Sequence, residues 1–289
     1  MQLKNKFEVG DFAVLAEMDP PKGVDVSTMT GNAMRVKGEV DAFVVPEMSN
    51  AVMRMSALGG AMILQSKGLE TIMQINCRDR NRIALQADLL AAYGCGITNV
   101  MGVLGEAPGF GDHHQARSVN DIDLHELLGA IDSLQQGKDM AGIELSGSPE
   151  FLVGSTTKAG AQGISPELEI EEVTRKADAG AVFFITPPLF ELTAIKSFMN
   201  RLDNDNIKII PTVLLLKSLG MARYMSKNMK HAYIPEDLIK RIQQAPDKVS
   251  ECIRIAAETI ATIKAEGFGG VMISTIGWEH RLPEIIEKV

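Results

Sequence analysis

The stretch "FAVLAEMDPP", residues 12–21, is an unbroken apolar run that stops at two acids and two prolines. An apolar run without alternation is typical of a strand in a parallel sheet that is covered on both faces. Pro20 and Pro21 cannot continue a strand inside a sheet, because proline lacks the backbone N–H. The stretch therefore predicts a buried strand that ends near Glu17, with Asp19 as a turn residue.

Further apolar, β-branched runs of this kind recur along the chain, and segments with helical periodicity separate them. The predicted strands span residues 12–18, 42–46, 71–77, 98–105, 150–156, 182–188, 207–215 and 270–276. One predicted helix follows a cap at Asp79, and another begins at Ser165 with Pro166 in its first turn. Eight strands that alternate with helices in 289 residues predict an α/β fold, a single (β/α)8 TIM barrel. An open, doubly wound sheet is the alternative.

The domain organisation follows from what the chain lacks. No linker, low-complexity segment or short-period repeat divides it, so residues 1–289 are predicted to form one domain. A helix-rich insertion is expected at about residues 233–266, before the last strand. If the fold is a barrel, its active site lies at the carboxyl ends of the strands, where the loops that follow them meet.

Composition excludes several classes of protein. A net charge of −8 argues against a nucleic-acid binder, which normally has a basic face. The cysteines, Cys77, Cys95 and Cys252, stand too far apart for a metal or iron–sulfur site within this chain. We expect a cytoplasmic protein with no membrane span, since no run approaches ~20 apolar residues. Its methionine-rich runs favour core packing and a contact between subunits, hence an oligomer.

Four segments in the same order carry a resemblance to a known family. They are "AEMDPPKG", "VLGEAP", "TRKADAGA" and "FFITPP", and the order of the matching segments follows the family along essentially the whole chain. In this order and spacing the sequence resembles methylenetetrahydrofolate reductase, a family of flavin-containing (β/α)8 barrels. The resemblance implies an oxidoreductase of one-carbon metabolism. It would reduce 5,10-methylenetetrahydrofolate to 5-methyltetrahydrofolate with a hydride from N5 of reduced flavin.

The resemblance places the catalytic acid of the family at Glu17, which would protonate N10 of the folate. The residues themselves agree, because a carboxyl at the end of a buried strand has a raised pKa and can act as a general acid near neutral pH. The acidic residue near the flavin and pterin falls at Glu106. It is therefore predicted to be catalytic and to contact both cofactor and substrate.

The resemblance also assigns cofactor contacts. The turn after the fifth strand, which includes Ser155 and Thr156, would hold the ribityl and phosphate groups of the flavin. Further predicted flavin contacts are Gln74, Glu169, Arg175 and Lys176. The cofactor would be FAD, with FMN as the alternative.

Several positions depart from the family pattern. The usual arginine near the acidic position is Leu104, a glutamine that contacts folate is Pro187, and a stacking aromatic is Leu219. Pro187, Leu219 and Trp278, which follows the last strand, are the remaining predicted substrate contacts. The departures suggest a divergent branch with its own electron donor, which is either NAD(P)H or an iron–sulfur partner subunit. A folate- or pterin-dependent methyltransferase barrel without flavin is the other alternative.

Overall fold

The computed structural model describes residues 2–202, 206–229 and 233–289. Within these ranges eight parallel strands form a closed barrel in chain order, with the eighth strand paired to the first. The closed ring excludes the doubly wound alternative, because an open sheet has two unpaired edges. The prediction of a (β/α)8 barrel is confirmed.

The strands are short, as barrel strands are, and helices connect them. They are β1 (Ala13–Glu17), β2 (Ala42–Val45), β3 (Thr71–Asn76), β4 (Asn99–Val103), β5 (Leu152–Thr156), β6 (Phe183–Pro188), β7 (Lys208–Leu214) and β8 (Gly270–Ser274). The helices are α1 (Leu3–Val9), α2 (Ser27–Arg35), α3 (Ala57–Gln65), α4 (Arg82–Gly94), α5 (Leu124–Gln135), α6 (Pro166–Asp178), α7 (Thr193–Met199), α8 (Leu219–Asn228), α9 (Glu236–Gln244), α10 (Lys248–Ala265) and α11 (Leu282–Ile286).

The helix caps show one correction to the sequence-based prediction. Ser165 caps α6 as expected, with its hydroxyl 3.4 Å from the amide of Leu168. The predicted cap at Asp79 is wrong, because α4 begins after Asn81, whose side chain accepts from the amide of Ala84 at 3.1 Å. The Asp79 carboxylate is instead bound by the guanidinium of Arg78, with both N···O distances at 2.7 Å.

The helix-rich segment at 233–266 contains α9 and α10. Of these, α10 packs against β7 and β8 and makes the connection between them that a barrel requires. The extra material between these strands is therefore α8 and α9, which precede the connecting helix.

Side chains from alternate strand positions fill the barrel interior. The interior cluster includes Leu15, Ile72 and Phe183, and it also contains Leu3 and Phe7 from α1. The rings of Phe7 and Phe183 lie 5.7 Å apart between centroids. Helix α1 thus closes the amino-terminal end of the barrel and leaves the carboxyl-terminal end as its mouth.

One glycine is required by this interior packing. A Cβ at Gly154 in β5 would lie 2.2 Å from Cζ of Phe183 in β6, far inside van der Waals contact. The ring of Phe183 therefore occupies the space that a side chain at position 154 would need.

None of the helices in the described residues has the length and apolar character needed to cross a bilayer. The described residues also contain no group of three or more His, Cys, Asp or Glu side chains placed to hold a metal ion.

Candidate active site

Strand alternation brings Glu17 to the interior side of the barrel mouth. Leu15 and Met272 belong to the interior cluster, so the residues two positions further on, Glu17 and Ser274, face the same way. The hydroxyl of Ser274 donates a hydrogen bond to Oε1 of Glu17 at 3.1 Å. The ends of the first and last strands thus meet around one carboxyl group.

Gln74 and Thr156, two of the predicted cofactor residues, also face the interior side of the barrel mouth. Gln74 lies two residues beyond Ile72, and its amide donates to the sulfur of Met101, another interior residue, at 3.9 Å. Thr156 lies at the end of β5 and is exposed. Since Leu152 of the same strand is in the interior cluster, alternation directs Thr156 inward as well. Hydroxyl, amide and carboxyl groups therefore line the mouth.

The electrostatic setting of Glu17 suits a proton donor. The pKa of its carboxyl is raised to about 7, chiefly by burial and also by the negative charges of Asp19 and Glu279. The hydrogen bond from Ser274 and the positive charge of Arg54 act in the opposite direction. A carboxyl with this pKa is protonated in a large fraction of molecules near neutral pH, which general acid catalysis requires.

Asp19 lies two residues beyond β1, in a segment that is not the turn predicted for it, and it has a charged partner there. Its Oδ2 is 3.8 Å from Nη2 of Arg54 in the loop after β2. The same guanidinium donates to the carbonyl of Pro20 at 3.2 Å. Burial raises the pKa of Asp19, and Arg54 opposes that effect.

The loop after β8 covers the same side of the mouth. Lys217, which follows β7, donates to the carbonyl of Ile276 and lies 5.4 Å from the ring centroid of Trp278. Ile276 has a φ of 45°, which is rare for a β-branched residue and indicates a constrained loop. Glu279 accepts from the amide of Gly277 at 2.7 Å. Trp278, a predicted substrate contact, is thus held beside the strand that carries Ser274.

The other two predicted substrate contacts outside Glu106 lie on the same half of the barrel. Pro187 is in β6 and Leu219 begins α8 after β7, and both are partly buried. Neither offers a polar side chain, so their contribution to binding would come from shape and apolar contact.

Glu106 lies beyond β4, three strands around the ring from Glu17. Its side chain is 53% exposed, and Oε2 is 3.9 Å from Nη1 of Arg78. The buried guanidinium of Arg78 also donates to the backbone carbonyl of Glu106 at 2.9 Å. A cavity of about 470 Å³ opens here between the ends of β3 and β4 and the start of α5. Glu106 therefore stands at the rim of the mouth, while Glu17 stands in its floor.

The structure does not bring the remaining predicted cofactor residues to the floor of the mouth. Ser155 donates its hydroxyl to the carbonyl of Gly102 at 3.0 Å and is buried. Oε1 of Glu169 accepts from the hydroxyl of Thr157 and the amide of Lys158, both at 2.6 Å.

The last two predicted cofactor residues, Arg175 and Lys176, lie on α6. The buried Lys176 donates to the carbonyl of Thr156 at 2.9 Å. Arg175 is 66% exposed and lies 3.6 Å from Glu172 on the same helix. Glu169 and Lys176 thus fix the backbone at the end of β5, whereas Arg175 extends toward solvent.

Replacing Glu169 by Ala should loosen the loop after β5. The substitution leaves the buried hydroxyl of Thr157 and the amide of Lys158 without their acceptor, which costs about 1–3 kcal/mol. We expect faster hydrogen exchange at the amides of residues 157–163. The matched control is Glu171→Ala, an exposed glutamate on the same helix, which should change neither stability nor exchange. Equal exchange in both variants would contradict this role.

Three residues at the site, Arg54, Ser274 and Glu279, were missed by reasoning from sequence. Ser274 carries a usable signal, because it ends the last predicted strand and follows an interior position by two residues. Arg54 and Glu279 carry none, because each lies in a loop whose path the sequence does not reveal. These residues adjust the acidity of Glu17 from three separate elements.

The fold and the site together define a class, a (β/α)8 barrel with a carboxyl of raised pKa at its carboxyl-terminal mouth. The sequence model of the family described as methylenetetrahydrofolate reductase matches residues 2–289. The chain belongs to this family, and the family prediction is confirmed.

A named relative and a solved structure extend this finding. Methylenetetrahydrofolate reductase 2 of Schizosaccharomyces pombe is 25% identical over 197 residues, which are 64% of this chain and 29% of the yeast protein. The chain thus matches less than a third of that relative's length. The EDTA monooxygenase EmoA from Chelativorans sp. BNC1 superposes with a TM-score of 0.51 at 8% identity, covering 96% of this chain and 93% of its own. This likeness shows the fold alone.

Proposed function

We propose that this protein reduces 5,10-methylenetetrahydrofolate to 5-methyltetrahydrofolate with a bound flavin. Membership of the family supports a folate-related reduction. The observation that carries the proposal is the partly buried Glu17, whose pKa is raised to about 7 at the end of β1. Few side chains other than histidine donate a proton near neutral pH, and this carboxyl lies where barrels perform their chemistry.

In the proposed reaction, Glu17 donates its proton to N10 of the folate. Protonation of N10 breaks its bond to the one-carbon unit and leaves an electrophilic iminium at N5 of the folate. Addition of a hydride to this carbon gives the methyl group of the product. The hydroxyl of Ser274 orients the Glu17 carboxyl and stabilises the carboxylate that remains after the proton has left.

The polar groups at the mouth are of the kind that a flavin ring needs. The Gln74 amide donates to a thioether, a weak acceptor that a ring carbonyl would readily replace. Thr156 offers an exposed hydroxyl beside a loop whose backbone Glu169 and Lys176 hold in place. When bound, reduced FAD or FMN supplies the hydride.

Residues at the mouth also support proposals for how the substrate binds and which donor supplies the electrons. Trp278 offers an aromatic face, with Pro187 and Leu219 as apolar neighbours, and Glu106 can accept a hydrogen bond from the pterin at the rim. The departures at Leu104, Pro187 and Leu219 support a donor other than the usual one, so an iron–sulfur partner subunit is considered beside NAD(P)H.

The absorption spectrum of the purified protein, followed by identification of the cofactor released on denaturation, tests this proposal. We expect a flavin spectrum that bleaches on reduction and returns when methylenetetrahydrofolate is added. A colourless protein that binds folate would favour the methyltransferase alternative. A flavoprotein that dithionite reduces, but NADH and NADPH do not, would favour the partner subunit as donor.

A further inference from the structure

We propose that Asp19 is a positioning residue which, together with Arg54, keeps the shared proton of the two carboxyls on Glu17. This inference rests on the proposed function, because it concerns the same proton donor. It replaces the view of Asp19 as a turn residue only.

Backbone geometry places the two acids on one side of the chain. Met18 belongs to the outer layer of the core, and its amide still donates to the carbonyl of Val44 at 2.9 Å, so the backbone stays extended beyond the end of β1. Asp19 precedes Pro20, which also restricts it to an extended conformation. Alternation then directs Glu17 and Asp19 toward the same face.

The contacts of the Asp19 carboxyl are not those of a turn residue. An aspartate that stabilises a turn accepts hydrogen bonds from nearby backbone amides. In the described residues, Oδ1 of Asp19 is buried without a hydrogen-bond partner. Oδ2 faces the guanidinium of Arg54 at 3.8 Å, an ion-pair distance. The Asp19 carboxyl is thus held by the charge of Arg54 rather than by hydrogen bonds.

The negative charge of ionised Asp19 disfavours ionisation of Glu17, so the two carboxyls compete for one proton. Arg54 decides which of them holds it, because its guanidinium is anchored on the carbonyl of Pro20 beside Asp19. It favours the ionised form of Asp19, and the proton stays on Glu17. Glu279, in the loop after β8, adds a negative charge, and the Ser274 hydroxyl in β8 donates to Glu17. Among the described residues, the groups that act on Glu17 are thus Asp19 from its own segment and Arg54, Glu279 and Ser274 from other elements.

The test follows the Glu17 carboxyl directly, without turnover. Protein carrying ¹³C in its glutamate carboxyls is titrated by NMR, and the Glu17 signal is assigned by its loss in Glu17→Gln. We expect Asp19→Asn to move the Glu17 midpoint below its native position near pH 7. In a second sample that carries ¹³C in its aspartate carboxyls, with the Asp19 signal assigned by its loss in Asp19→Asn, Arg54→Met should raise the Asp19 midpoint toward that of Glu17, because Asp19 loses the cation that favours its ionised form.

The control is Asp25→Asn, which removes an exposed acid in the same loop and should leave the midpoint unchanged. An unchanged Glu17 midpoint in Asp19→Asn, or an unchanged Asp19 midpoint in Arg54→Met, would overturn the inference. If Asp19→Asn fails to fold, the Asp19 signal is assigned through the other aspartates and its midpoint in Arg54→Met still decides. The proposed function fails separately, if the native protein shows these titrations but does not reduce methylenetetrahydrofolate.

Discussion

Glu17→Gln is expected to slow the reduction of methylenetetrahydrofolate by about 10²–10⁴-fold, the usual contribution of a positioned general acid. The amide has nearly the same size as the carboxyl and can still accept the hydrogen bond from Ser274, so the barrel should fold normally. It has no acidic proton for N10, however, and the folate ring stays closed. The rate is measured in a single turnover, as reoxidation of the reduced flavin by the substrate.

The flavin serves as an internal control for this variant. Reduction of the flavin by dithionite needs no proton on N10, so it should proceed equally in native protein and in Glu17→Gln. Bound flavin per chain should also be unchanged. Turnover of folate near the native rate would remove Glu17 from the catalytic role.

The pH dependence of the same half-reaction has a definite sign. In the proposed reaction the acid form of Glu17 is the active one, and its pKa is about 7, so we expect the rate to be constant well below pH 7 and to decline above it. The residual rate of Glu17→Gln should lack this decline. If the native enzyme instead gained rate as pH rose through 7, Glu17 would have to act as a base.

Phe183→Ala should destabilise the protein by about 3–5 kcal/mol, the range for truncating a buried phenylalanine. Phe183 is fully buried, and its ring packs between β5 and the helix that closes the barrel. Truncation leaves a cavity in the centre of the closed barrel, where each strand is hydrogen-bonded to both of its neighbours. The free energy of unfolding is measured by urea denaturation monitored by circular dichroism.

Phe110→Ala is the matched control for this substitution. Phe110 lies in the loop after β4 with 84% of its surface exposed, so it has little apolar area to lose. Its unfolding free energy should stay within about 0.5 kcal/mol of the native value. Equal losses of unfolding free energy in the two variants would mean that packing of Phe183 in the barrel interior does not stabilise the fold.

The strands were predictable because a parallel barrel buries both faces of each one. Every predicted strand run contains an observed strand, and the observed ends lie at most two residues inside the predicted ones, as with β1 at Glu17. The cap of α4 was missed by two residues because Asp79 and Asn81 are both good caps. Arg78 binds Asp79, and that contact depends on the tertiary structure.

A candidate site residue could be predicted from the sequence only where its immediate neighbours in the chain mark it. Glu17 stands out because a carboxyl follows an apolar run and precedes two prolines. Its partner Ser274 is 257 residues away, and only closure of the ring brings the two together. Resemblance to the family points to Glu169 and Lys176 but does not show that both hold the loop after β5. That role depends on side-chain contacts which no spacing in the sequence encodes.

The pairing of Gly154 with Phe183 has a consequence for the evolution of this branch. A side chain at 154 and a ring at 183 exclude each other, since the added Cβ would lie 2.2 Å from the ring. Gly154 cannot be replaced first, because the ring of Phe183 occupies the space that its side chain would need. The side chain at 183 has to become smaller before the glycine is replaced. Descendants with alanine or serine at 154 should therefore carry leucine or a smaller residue at 183. The order of those two substitutions would be fixed in every lineage.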